Sequence, residues 1–159
     1  MLYFELYQLP VRVITDRAQL NRQYIAQQKA AHPDFYSLSD EAAQEAALER
    51  SALLNEARTV LLDEDAALQY ILKEKGLISD QEKQVLPPEF LMEVMELNEL
   101  EETERIAEAT RLTDALRQDF LPLLLQEWDA ETTSQELLPL KDYYFRKKYL
   151  QRILDRKQQ

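Results

Sequence analysis

The chain has 159 residues, 45% of them apolar, enough to bury a core in one ordinary domain or two small ones. A net charge of −11 and a pI near 4.6 give a surface that repels phosphate, which argues against nucleic acid and anionic membrane as partners. There is no cysteine and His32 is the only histidine, so disulfides, thiol nucleophiles, thiolate metal sites and Cys–His catalytic sets are all excluded.

Gly76 is the only glycine, whereas β-hairpins depend on glycine for positive φ in their turns. Ala, Leu, Glu, Gln and Arg dominate instead, and all five favour helices, so the predicted fold class is all-α. No Gly-rich loop is present to cradle a phosphate, and binding rather than catalysis is the expected role, with no cofactor. The opening residues Met1 to Glu5 lack a basic lead and a cleavage site, and the apolar run from Phe120 to Leu125 is too short to span a bilayer; a cytoplasmic protein is expected.

In chain order, Tyr3 to Leu9 reads as a short helix stopped at Pro10. Asp16, with Gln19 three residues on, predicts the N-cap of a helix running to about Ala31. Leu20, Tyr24 and Ala31 form its apolar stripe, interrupted by Gln27, and Arg22 and Lys29 lie opposite. Pro33 ends it, because the residue before a proline is pushed out of helical space. A loop to Ser39 precedes a long helix from near Asp40 with Ala47, Leu54, Ala57 and Leu61 on one side. The run Asp63-Glu64-Asp65 fits either the start of a new helix or the surface of a continuous one. Leu68, Ile71 and Leu72 belong to a piece that ends at Gly76, after Lys73 and Lys75. Residues 77–88 read as a linker closing in Pro87-Pro88, where Pro88 suits the first turn of the next helix. From Glu89 the pattern is helical almost to the end, with breaks expected at Thr110 to Thr113, at Pro122 and between Asp129 and Pro139, giving a bundle of about three helices.

His32-Pro33-Asp34 between two helices, followed by Asn55-Glu56-Ala57, Leu61 and Tyr70, resembles the J domain. The opening Tyr3-Phe4-Glu5-Leu6 with Leu9-Pro10, the segment from Ser51 to Gly76, and Phe90-Leu91-Met92-Glu93 with Met95-Glu96-Leu97 are together similar to the HscB-type co-chaperones of iron–sulfur cluster assembly. The resemblance covers nearly the whole chain. Departures are Phe35 where the family commonly has Lys, polar Gln27 at an apolar position, and the stretch from Asp63 to Ala67, which lacks a usual proline and arginine. The zinc-binding cysteines of some eukaryotic relatives are absent, which points to a bacterial-type protein.

The resemblance implies a J domain over residues 1–76, a linker over 77–88 and a scaffold-binding helical bundle over 89–159. It implies a non-enzymatic adaptor that delivers an IscU-type scaffold to a DnaK/HscA-class chaperone and stimulates that chaperone's ATPase. His32, Pro33 and Asp34, with Arg22 and Lys29 on the preceding helix, are the implied chaperone contacts. Leu91, Met92, Met95, Glu96 and Glu99, with Tyr149 beside them, are the implied scaffold contacts. By their spacing alone, Leu91, Met92 and Met95 fit an exposed patch or the bundle core. Alternative readings are a general J protein for another client, or an acidic helical interaction module without chaperone activity.

Overall fold

The computed structural model describes residues 1–31, 40–81, 85–129 and 131–155. They form α1 (Leu2–Leu6), α2 (Arg17–Ala31), α3 (Glu41–Leu62), α4 (Glu64–Glu74), α5 (Pro88–Asn98), α6 (Glu102–Leu125), a 3₁₀ turn (Gln135–Leu137) and α7 (Leu138–Asp155). The all-α class is as predicted, and the only strand-like feature among the described residues is one bridge between Val11 and Trp128. The chain divides into two compact units, Met1–Ile71 with Leu125–Ala130, and Leu72–Leu124 with Glu131–Gln159.

Local capping chemistry sets many of the boundaries. The Gln19 N–H donates to Asp16 Oδ1 (3.2 Å), so α2 opens at its expected N-cap, and the Ala43 N–H donates to Asp40 Oδ1 (2.7 Å), which makes Asp40 the cap of α3 near its expected start. Asp63 leaves helical space at φ −105°, ψ 118° and closes α3. Its Oδ1 accepts the Ala66 N–H (3.0 Å), so the same residue caps the start of α4 and the acidic run breaks the helix. After α4, Gly76 sits at φ 69° with bonds from the Leu77 N–H to the Leu72 carbonyl (2.9 Å) and from the Gly76 N–H to the Lys73 carbonyl (3.0 Å). That paired arrangement is a Schellman cap, and glycine takes its left-handed position without steric cost. The same cap ends α1, with Gln8 at φ 52°. Thus α1 stops at Leu6, before the proline assigned to that role.

In the first unit α1 and α2 both pack on α3. Phe4, Tyr7, Leu20, Leu54, Ala57, Leu61, Leu68 and Ile71 are buried. The Tyr3 ring stacks on Tyr70 at 4.4 Å, and the Tyr3 N–H donates to the Tyr70 hydroxyl (3.1 Å). Tyr7 donates its hydroxyl to the Leu54 carbonyl (2.6 Å), and burial pushes its pKa up to about 12. Residues after α6 return to this unit, where the Trp128 N–H donates to the Val11 carbonyl (2.8 Å).

The second unit buries Leu72, Phe90, Val94, Leu97, Leu124, Leu137, Leu140 and Tyr143, and Phe120 meets Tyr143 at 5.2 Å between ring centres. Two expected breaks do not occur, since α6 runs unbroken from Glu102 to Leu125. Thr110 and Thr113 turn their hydroxyls back to the carbonyls of Ile106 (2.8 Å) and Ala109 (2.7 Å), which satisfies them inside the helix. Pro122 lies in the last turn, where a missing N–H frees one carbonyl close to the helix end. The third expected break is present as irregular chain leading to the 3₁₀ turn.

Candidate functional site

Two helix faces carry the residues singled out in the sequence. On α2, Arg22 and Lys29 are exposed and neither forms an ion pair with a described residue. Between them Ile25 is 54% exposed, an apolar side chain on the outward face that the sequence reading did not include among the site residues. Its position, three residues after Arg22 and four before Lys29, was the available signal. His32, Pro33 and Asp34 lie outside the described residues, as does Phe35; α2 ends at Ala31, immediately before them.

The opposite side of α2 is held to α3 by polar side chains. Arg17 donates to the Leu62 carbonyl (3.1 Å) and Arg58 to Asn21 Oδ1 (3.2 Å). Tyr24 donates to Asn55 Oδ1 (2.6 Å), and Gln28 exchanges bonds with Ser51, its Oε1 accepting from Ser51 Oγ (2.9 Å) and its Nε2 donating to the Ser51 carbonyl (3.3 Å). The Arg58 guanidinium also covers the Tyr24 ring at 4.8 Å. Partner numbers fall along α3 as they rise along α2, the signature of an antiparallel hairpin in one register. Gln27, the polar interruption of the α2 stripe, donates to the Leu6 carbonyl (2.7 Å) and accepts from Arg50 (2.9 Å), so its amide nitrogen and its oxygen each have a partner. An open cavity of about 430 Å³ lies between the end of α2 and the start of α3, walled largely by Ala31, Ala43, Ala46 and Ala47.

On α5 the helical period separates two faces. Phe90, Val94 and Leu97 point inward and are buried. Leu91 (39% exposed), Met92 (63%) and Met95 (67%) point outward and are not core. Glu96 and Glu99 are exposed on the same side, within an arc of about 140° at ~100° per residue. Half-buried Tyr149 meets Phe90 edge to face at 6.3 Å, so α7 supplies an aromatic beside the residue preceding Leu91. The Arg146 guanidinium lies 5.3 Å from the centre of the Phe90 ring while bridging to Asp142 at 2.9 Å. Phe90 and Arg146 are therefore the supports of this face that sequence reasoning left out of the site. Leu91, Met92 and Met95 thus form an exposed apolar face with the carboxylates of Glu96 and Glu99 on the same side.

Among the described residues no cluster of His, Asp and Glu could hold a metal ion, and no helix is long and apolar enough to cross a membrane.

No family model matches the chain. A co-chaperone HscB homolog from Vibrio cholerae is 38% identical over 100 residues, 62% of this chain and 58% of that protein, so the match spans little more than half of the relative. The homolog from Vibrio campbellii is 36% identical over 117 residues, 73% of this chain and 67% of that protein. Among solved structures, the chaperone HscB from Vibrio cholerae superposes with a TM-score of 0.63 at 25% identity, covering 97% of this chain and 93% of that one. The human co-chaperone HscB gives the same TM-score of 0.63 at 24% identity, covering 98% and 78%, a likeness of fold. With this agreement of sequence and fold, the chain belongs to the HscB family of co-chaperones.

Proposed function

We propose that the protein is a bivalent adaptor that binds an IscU-type iron–sulfur scaffold through α5 and hands it to a DnaK/HscA-class chaperone, whose ATPase it stimulates. In this reading residues 1–76 act as the J domain, 77–88 as the linker and 89–159 as the scaffold-binding bundle, and the protein works in the cytoplasm without a cofactor of its own. The observation that carries it is the outward display of Leu91, Met92 and Met95 on a helix whose inner face is already filled, in a member of the HscB family. Methionines offer a deformable apolar surface suited to a partner that must later be released. Glu96 and Glu99 would orient that partner, and Tyr149 would lengthen the aromatic edge of the patch.

On α2, Arg22 and Lys29 would speed encounter with an acidic chaperone surface, with Ile25 adding apolar contact between them. Asp34 would pair with a chaperone arginine and His32 would position the loop, whose ordering cost Pro33 lowers. Holding scaffold and chaperone on one chain raises the concentration of each near the other.

The test is steady-state ATPase of the matching chaperone with this protein, with and without scaffold. Stimulation that rises further with scaffold is expected, and His32→Gln and Asp34→Asn should each abolish it with unchanged helical circular dichroism. Full stimulation by either variant would remove the tripeptide as the trigger. Stimulation indifferent to a scaffold that does not bind would leave a general J protein.

A further inference from the structure

We propose that Met92 and Met95 form an oxidisable pair that switches the α5 face from a partner-holding to a partner-releasing state. This rests on the reading of that face as the scaffold site. With no cysteine in the chain, its sulfur chemistry belongs to three methionines, of which Met1 is half-buried at the start of α1. The other two are 63% and 67% exposed, three residues apart on one face of α5, so both thioethers are open to solvent where the partner would sit.

The oxidant is a neutral hydroperoxide, hydrogen peroxide in the simplest case. The exposed carboxylates of Glu96 and Glu99 share the face with the pair and disfavour anionic oxidants while leaving a neutral one unhindered. A sulfur lone pair attacks one peroxide oxygen, the O–O bond breaks, and an S–O bond forms. The departing hydroxide takes up the remaining peroxide proton and leaves as water. Each sulfur loses two electrons and each peroxide gains two. Two thiols of a methionine sulfoxide reductase reverse the step, becoming a disulfide and releasing the oxygen as water.

The product is a polar sulfoxide at the centre of an apolar contact, where it must be desolvated for a partner to bind. The helix itself is not threatened, because Phe90, Val94 and Leu97 carry its packing and neither methionine is part of the core. Oxidation would therefore change binding without unfolding the protein. A buried methionine would instead lose the fold along with the interface.

The test uses the full chain, oxidised with hydrogen peroxide, quenched, and then titrated with cluster-free IscU-type scaffold. Peptide mass spectrometry should find Met92 and Met95 oxidised at rates approaching that of free methionine and ahead of Met1. Scaffold affinity should fall by at least about tenfold, with helical circular dichroism unchanged, and reductases acting on both sulfoxide epimers should restore it. A Met92→Leu/Met95→Leu chain, inert to peroxide at these positions, should show no change in its own scaffold affinity on treatment, whatever that affinity is relative to wild type. Unchanged affinity of the wild-type chain with both sulfurs oxidised would overturn the switch and leave the scaffold site standing. Equal losses in wild type and in the Leu variant would also overturn it, by placing the effect elsewhere. Failure of the untreated chain to bind scaffold would overturn the functional reading and this inference together.

Discussion

The seam between α2 and α3 and the outer face of α5 invert the usual meaning of surface chemistry. Along the seam, polar side chains hold the structure: Asn21 meets Arg58, Tyr24 meets Asn55, and Gln28 meets Ser51. On α5, apolar side chains do not hold it, since Leu91, Met92 and Met95 face solvent while Phe90, Val94 and Leu97 fill the interior. The buried residues of α2 are only Leu20 and Ala31, and α3 contributes Ala47 and Ala57 beside Leu54 and Leu61. Small alanines give few knobs to distinguish one register from the next, so directional hydrogen bonds supply the discrimination. Polarity alone therefore separates neither structure from function nor inside from outside.

The largest test of this contrast sets two α5 residues against each other. Phe90→Ala should cost about 3–5 kcal/mol of folding free energy in urea denaturation, whereas Met95→Ala should stay within ~0.5 kcal/mol. In scaffold titration Met95→Ala and Leu91→Ala should each lose about 2 kcal/mol of binding. Strong destabilisation by Met95→Ala would make the outer face core after all.

On α2 the outward cations should matter to encounter and not to folding. Reversing Arg22 and Lys29 to Glu should slow chaperone association by roughly tenfold and flatten its salt dependence, while stability shifts by less than ~0.5 kcal/mol. A wild-type association rate indifferent to ionic strength would argue against an electrostatic docking face.

Tyr7→Phe removes the bond to the Leu54 carbonyl and should cost about 1 kcal/mol. The pH dependence carries a definite sign. Because the folded pKa is raised from 10.0 to about 12, the unfolded chain loses its proton first. Stability tied to this hydroxyl is complete below pH 10 and falls as pH rises from 10 to 12. The Phe variant should lack that component of alkaline destabilisation in denaturation curves taken across the same range.

The smallest effect concerns the seam itself. Tyr24→Phe and Asn55→Ala should each cost about 0.5–1 kcal/mol, with a coupling of ~0.5 kcal/mol or more in the double-mutant cycle. Additive losses would mean that the two side chains act independently and that register is set elsewhere.

How far the sequence reached follows the range of the forces involved. Asp16, Asp40, Gly76 and Pro88 marked helix ends correctly, because a cap or a first-turn proline satisfies needs within a few residues of itself. The all-α class was equally legible, from a single glycine and an excess of helix formers, as was the family, from short motifs in the right order. Local signals failed where two local outcomes compete. Thr110 and Thr113 suggest a break, but an i−4 carbonyl receives each hydroxyl. Gln8 gave no hint of a left-handed cap, which glycine normally occupies. Only the tertiary structure decided which side of α5 is filled and that Gln27 is tied to Leu6 and Arg50, because these depend on residues far along the chain. A helical period shows that Leu91 and Met95 share a face; whether water or protein covers that face depends on where Phe90 finds Tyr149, more than fifty residues away in the chain.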